Sequence, residues 1–208
     1  MESDRTATDF NVVYSHRKTM SSVAIIPAAG KAERFGRQKL VELVSGEPLL
    51  DRTIRSVIDG GVDRVVVVVS PDERLDAVPL LGDSRVQTVV NPDPSRGMFS
   101  SIQVGTSEAA GGDPILVLPG DMPFVAPATV AAVLAAARGR TTAVVPRLDG
   151  RRGHPVALPG ALGREILKAD ARSTLSDLLR ATGVERTYLD VADAGILRDV
   201  DVVGDLQG

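Results

Sequence analysis

Ile25-Ile26-Pro27-Ala28-Ala29-Gly30-Lys31-Ala32-Glu33-Arg34-Phe35-Gly36-Arg37-Gln38-Lys39 begins as an apolar strand, breaks into a small-residue turn, and then delivers Arg34 and Lys39. Side chains as small as Ala28, Ala29 and Gly30 let a bound group approach the main chain closely. Successive backbone N–H groups in such a turn form an anion-binding nest. Two fixed cations just beyond it suit a triphosphate. The local pattern leaves two readings open: a nucleotide-binding loop, or an ordinary strand-to-helix turn whose charges are solvated.

Two familiar phosphate loops are excluded. A Walker A loop needs Gly, four residues, then Gly-Lys-Ser/Thr; here Gly30-Lys31 is followed by Ala32, and Ile25 stands where the first glycine belongs. A dinucleotide fingerprint needs three glycines as G-x-G-x-x-G, and the stretch holds only Gly30 and Gly36.

Outward from this turn, strands and helices alternate. Val23 to Ile26 is the strand that enters it, and Leu49 to Ile58 reads as a helix. Val65 to Ser70 is a continuous β-branched run, the mark of a strand covered on both faces. Val86 to Val90 is a short strand, broken by Asn91-Pro92-Asp93-Pro94. Ser100 or Ser101 is expected to cap a helix running to about Ala110. Ile115 to Leu118 is a buried strand ended by Pro119-Gly120-Asp121. Pro127 to Arg138 is an alanine-rich helix, and Thr142 to Val145 a further strand. Short links between alternating elements imply a mostly parallel sheet with helices on both faces. Ligands of such sheets bind outside the carboxyl ends of the strands. The Gly30 turn, the Asn91 loop and Asp121 each follow a strand, so they should share one rim.

The chain has 208 residues, 43% apolar and 25% charged, which suits one globular α/β domain. Residues 21–208 are expected to form it. Residues 1–20 have no amphipathic period and are expected to be a disordered extension, or an over-called start with translation beginning at Met20. A net charge of −3 gives no basic field for nucleic acid. There is no cysteine, which excludes disulfides, zinc-thiolate sites and cysteine nucleophiles. No apolar run approaches the roughly 20 residues that span a bilayer, and the first residues are polar. The expectation is a cytoplasmic protein without a membrane partner.

Asp121 follows an apolar strand in Gly120-Asp121-Met122-Pro123 and brings a carboxylate to the rim. Mg²⁺ prefers one or two carboxylates with water and phosphate oxygens; a turn aspartate bonding its own backbone is the plainer reading. Asp199 and Asp201 alternate in Arg198-Asp199-Val200-Asp201-Val202, so they point the same way if this is a strand. Asp201 is the choice for a second metal carboxylate, against a plain surface acid. His154, beside Gly153 and two arginines, is either structural or a contact for an anionic substrate. Arg172 precedes a helix from about Thr174 to Ala181, with Ser173 as its cap, and either steadies a phosphate there or is solvated. No serine–histidine–aspartate elbow and no H-x-x-x-H pair occurs. These parts suit phosphoryl or nucleotidyl transfer, where positioning and charge neutralisation carry the catalysis.

Together these residues resemble the MobA/MocA-like nucleotidyltransferases, the molybdenum cofactor guanylyl- and cytidylyltransferases, over nearly everything from Val23 onward. Ala28-Ala29-Gly30 with Arg34, Phe35-Gly36 and Lys39 resembles the family's amino-terminal signature, and Gly46-Glu47-Pro48-Leu49-Leu50 matches the segment after it. Asn91 with Gly97-Met98 and Ser100-Ser101 resembles a second nucleotide-contacting loop. Gly120-Asp121-Met122-Pro123 looks like the metal motif, Gly153-His154-Pro155 like a signature beside the acceptor pocket, and Asp199-Val200-Asp201 like the closing D-x-D-x-x-x-D element, continuing to Asp205.

The resemblance implies a three-layer α/β/α Rossmann-like fold and a Mg²⁺-dependent reaction. The terminal phosphate of molybdopterin, carrying molybdenum, would attack the α-phosphorus of an NTP and release pyrophosphate. Asp121 and Asp201 would hold Mg²⁺, Lys39 and Arg34 would neutralise the triphosphate, and Gly153, His154 and Arg172 would face the acceptor. Ala28-Ala29-Gly30 looks like the cytidylyl branch, so CTP is favoured over GTP, with the product handed to a molybdenum oxidoreductase of the xanthine dehydrogenase class. Pro27 before Ala28 is also similar to the cytidylyltransferase of isoprenoid synthesis, although that family carries a different loop at residues 120–123. The segment after Asp201 lacks the family's usual Thr-Pro. Two other readings compete: a nucleotidyltransferase with a different phosphorylated acceptor, and a nucleotide-binding partner of a molybdenum enzyme without turnover.

Overall fold

A computed structural model describes residues 21–30, 39–109, 111 and 113–201. The chain opens with β1 (Val23–Ala28), then a hairpin of β2 (Leu43–Val44) and β3 (Glu47–Pro48), helix α1 (Leu49–Asp59) and β4 (Arg64–Val69). It continues through β5 (Val86–Val90), α2 (Met98–Glu108), β6 (Ile115–Val117), α3 (Pro127–Ala137) and β7 (Ala143–Leu148). β8 (Arg151–Arg152), β9 (Val156–Leu158), α4 (Gly163–Lys168), α5 (Leu175–Ala181) and β10 (Arg186–Asp190) complete it.

The main sheet runs β10-β7-β9-β6-β1-β4-β5, with β8 paired to β7. β1 lies parallel to both β4 and β6, β4 is parallel to β5, and β10 to β7. The short strand β9 runs antiparallel to β6 and β7. The all-apolar runs of β1 and β4 follow from this placement, because alternate residues enter different cores. Ala24, Ile26, Val65 and Val67 pack with Leu50, Ile54 and Val57 of α1 and Val130 and Val133 of α3. Val23, Ile25, Val66 and Val68 pack with Phe99 and Ile102 of α2, Ile166 of α4 and Leu178 and Leu179 of α5. Helices on two faces of one sheet make the expected three-layer architecture. Gly105 on α2 is required by that packing: a Cβ there would run into the Ile25 side chain.

Three local expectations are corrected. Helix α2 begins at Met98, not at a Ser100 or Ser101 cap; Gly97 turns the chain at φ +95° and both serines lie inside the first turn, buried. Helix α5 is capped by Thr174 rather than Ser173. The Thr174 hydroxyl accepts from the Asp177 amide at 3.1 Å, and the Asp177 carboxylate accepts from the Thr174 amide at 3.2 Å, a capping box. Ser173 instead donates its amide to Asp170 in the preceding turn. Residues 198–201 form no strand; the segment is fastened by the Val200 amide, which donates to the Asp121 carbonyl at 2.9 Å.

Candidate active site

Because β5, β4, β1 and β6 are neighbours and parallel, the segments after them meet at one rim. They enclose a cavity of about 560 Å³ lined by Ala28, Ala29 and Gly30 after β1, Glu73 after β4, Ser95, Gly97, Met98 and Ser101 around the start of α2, and Asp121 after β6. Lys39 and Asp201 are also part of the wall. This size suits a small-molecule ligand.

The charged end is built from residues far apart in sequence. Lys39 opens a short 3₁₀ turn, Lys39–Val41, and its Nζ donates to Asp121 Oδ2 at 2.9 Å and to Asp201 Oδ1 at 3.4 Å. The lysine side chain is only 12% exposed, against 30% for Asp121 and 58% for Asp201. One ammonium is thus clasped by two carboxylates at the mouth of the cavity. Asp121 is held there by its backbone. The Gly120 amide donates to the Pro27 carbonyl at 2.9 Å, and Thr53 of α1 donates to the Gly120 carbonyl at 3.1 Å. A Cβ on Gly120 would lie 3.0 Å from that of Ala28, so the two loops touch only because both residues are small.

Asn91 lies beneath the rim, fully buried, rather than in the cavity wall. Its amide nitrogen donates to Ser100 Oγ at 2.8 Å and Ser101 Oγ at 3.0 Å, while its Oδ1 accepts from the Asp93 amide at 3.1 Å. One side chain therefore fixes the β5–α2 loop and aims the N-terminus of α2, with Ser101, at the cavity. Asn91→Ala takes this partner from the Ser101 hydroxyl and the Asp93 amide, while Ser100 Oγ keeps its bond to the Gly97 carbonyl at 2.7 Å, and should cost about 1–3 kcal/mol. Urea unfolding checks this; an unchanged midpoint contradicts the bracing role.

Gly153, His154 and Arg172 stand outside the lining of this cavity. Gly153 is packed so tightly against Ile196 that a Cβ would strike its carbonyl, and the His154 amide donates to that carbonyl at 3.1 Å. His154 Nδ1 lies 3.4 Å from the Val117 carbonyl at the end of β6. Burial holds the imidazole below its usual pKa, against the Val117 contact and the nearby charges of Asp121 and Asp199; at neutral pH it is an uncharged hydrogen-bonding group. Arg172 is exposed in the turn before α5, and its charge reaches Asp93. Arg34 and Asp205 lie outside the described residues.

The sequence reading passed over Glu73. It follows the β4 run as Asp121 follows β6, so the rule that singled out one acid pointed equally to the other.

A small-residue turn, a clasped lysine and two acids thus share one rim of a mostly parallel α/β sheet. Residues 24–187 match the MobA-like NTP transferase domain, and the chain belongs to that family. A Thermococcus sibiricus protein named "Probable molybdenum cofactor guanylyltransferase" is 29% identical over 105 residues, 50% of this chain. The match spans half of that relative's own length as well. A 2-C-methyl-D-erythritol 4-phosphate cytidylyltransferase from Saccharopolyspora erythraea is 35% identical over 136 residues, 62% of this chain and 60% of the relative. Among solved structures, a nucleotidyl transferase from a Methanothermobacter species is 25% identical with a TM-score of 0.74, covering 89% of this chain and 94% of that one. Guanylyl- and cytidylyltransferases thus both appear among its relatives.

Proposed function

We propose that the protein transfers CMP from CTP to the terminal phosphate of molybdenum-bearing molybdopterin, releasing pyrophosphate. The observation that carries this reading is Lys39, clasped by Asp121 and Asp201 beside the Ala28–Gly30 turn. The three charges form a template for a triphosphate and a divalent cation. Two hard carboxylate oxygens without histidine or thiolate fit Mg²⁺, which keeps its waters and takes phosphate oxygens. Asp121 and Asp201 would hold it, and when bound it would neutralise charge on the phosphates.

In the transfer step an oxygen of the acceptor phosphate attacks the α-phosphorus. The new P–O bond forms as the bond to the bridging oxygen of the β-phosphate breaks, and that electron pair leaves on pyrophosphate. The nucleophile is already an oxyanion, so no protein base is needed. The backbone of Ala28, Ala29 and Gly30 and the start of α2, with Gly97 and Ser101, would hold the nucleotide, while Ser100, buried and outside the cavity lining, braces that turn with Asn91. Lys39 neutralises charge accumulating on the phosphates, and Arg34 is assigned the same task. Gly153, neutral His154 and Arg172 are assigned to the acceptor. Cytidine is preferred for the Ala28-Ala29 pair, and the product would pass to a molybdenum oxidoreductase in the cytoplasm. Among the described residues no helix is long and apolar enough to cross a membrane.

The Saccharopolyspora relative supports a second reading, cytidylyl transfer to a sugar-alcohol phosphate. Pyrophosphate release with CTP, GTP, ATP and UTP separates these readings, using molybdenum-bearing molybdopterin, 2-C-methyl-D-erythritol 4-phosphate or no acceptor. CTP with the molybdenum acceptor should give the fastest release. Equal rates across the four bases, or release indifferent to acceptor, would sink the first reading.

A further inference from the structure

Glu73 belongs to the cavity wall yet has no part in the transfer chemistry. Its place is set by strand order. Asp121 follows β6, Gly30 follows β1, Glu73 follows β4, and Pro94 to Met98 follow β5, so the rim passes from the metal carboxylate to the β5–α2 loop in that sequence. A triphosphate must lie at the Lys39–Asp121 end, where its charge is neutralised. The nucleoside is then left with the β4–β5 end, where Glu73 lines the same cavity as Pro94, Ser95, Gly97 and Met98. A carboxylate there repels phosphate and serves a hydrogen-bond donor instead.

Its local structure suits such a role. The Glu73 amide donates to the Ser70 carbonyl at 3.3 Å, and Ser70 Oγ donates to Glu73 Oε2 at 3.2 Å. The side chain is thereby braced through one oxygen. Among the described residues, Oε1 has no hydrogen-bond partner. Burial pushes the carboxyl pKa up, against the Ser70 hydroxyl, as expected of an acid whose solvation has been partly removed.

We propose that Glu73 selects the nucleobase, accepting a hydrogen bond from the exocyclic amine of cytosine and excluding uracil, whose carbonyl oxygen would face the carboxylate. This rests on the nucleotidyltransferase reading above and adds a residue that contacts the base to the Ala28-Ala29 pair on which the cytidine preference rests. A site that hydrogen-bonds a substrate N–H discriminates strongly against the analogue lacking it, because its own polar group is left unpaired.

Glu73→Gln, nearly isosteric, can rotate its amide to donate to the uracil carbonyl. The test measures equilibrium binding of CTP, UTP and dCTP to the full chain, and kcat/KM for pyrophosphate release with the accepted acceptor. Wild type should prefer CTP, and Glu73→Gln should narrow the CTP-to-UTP ratio about tenfold or more, with Glu73→Asp retaining part of the discrimination. For an enzyme that proves to use GTP, the same narrowing should appear between GTP and ITP, which lacks the 2-amino group. An unchanged ratio overturns the proposal. So does an equal loss for CTP and UTP with narrowed discrimination against dCTP, which assigns Glu73 to the ribose. Absence of pyrophosphate release from wild type with every nucleotide and acceptor would overturn the parent reading instead; the binding ratios still report on Glu73.

Discussion

Asp121→Asn should reduce turnover by about 10³-fold while leaving the fold intact. The substitution keeps the side chain's size and removes the charge that anchors Lys39 at 2.9 Å and, in the proposed reaction, a hard anionic ligand of Mg²⁺. The loss of one preorganised electrostatic group in a partly dry site is of that order. The loop itself is held by backbone bonds from the Gly120 amide and the Val200 amide and by Thr53, none of which uses the carboxylate. Circular dichroism and thermal unfolding should therefore match wild type, while kcat collapses and excess Mg²⁺ or Mn²⁺ recovers little of it. Turnover within threefold of wild type would remove Asp121 from the metal site.

Lys39→Met should lower kcat/KM by about 10²–10³-fold, with a rise in the nucleotide KM. The thioether fills the methylene path of the lysine but leaves Asp121 and Asp201 facing each other without the ammonium between them. Like charges then repel each other, and the incoming triphosphate adds to that repulsion. Lys39→Arg should rescue only in part, since a planar fork does not place its charge where a single ammonium reaches both carboxylates. Titration of nucleotide binding alongside initial rates checks this. A variant with unchanged KM and kcat would show the clasp to be a structural ion pair only.

The sheet was legible where both faces are covered. Val65 to Val69 could hardly be anything but a buried central strand, and the structure places Arg64–Val69 between β1 and β5. β10 was not legible, because Arg186-Thr187-Tyr188-Leu189-Asp190 lies at the sheet edge, half in water, and its apolar signal is correspondingly thin. Nor does the apolar run Val156–Leu158 state its direction; its antiparallel pairing with β6 and β7 comes from tertiary packing.

At the site, the rule that ligands gather at strand carboxyl ends pointed to one rim for the Gly30 turn, the Asn91 loop and Asp121, and residues of all three segments line the one cavity. The partnership of Lys39 with Asp201, 162 positions apart, left no local signal. The serines at 100 and 101 were misjudged as caps because a local pattern cannot reveal Asn91 beneath them, nine and ten positions away and bonded to both.

The central claim is attack on the α-phosphorus by a phosphate acceptor. Incubation of the full chain, Mg²⁺ and molybdenum-bearing molybdopterin with CTP labelled at either the α- or the γ-phosphorus tests it most directly. The expected result is α-label covalently joined to the acceptor and γ-label recovered only as pyrophosphate, both dependent on the acceptor. Release of γ-label as orthophosphate, or α-label that stays in free CMP, would contradict it.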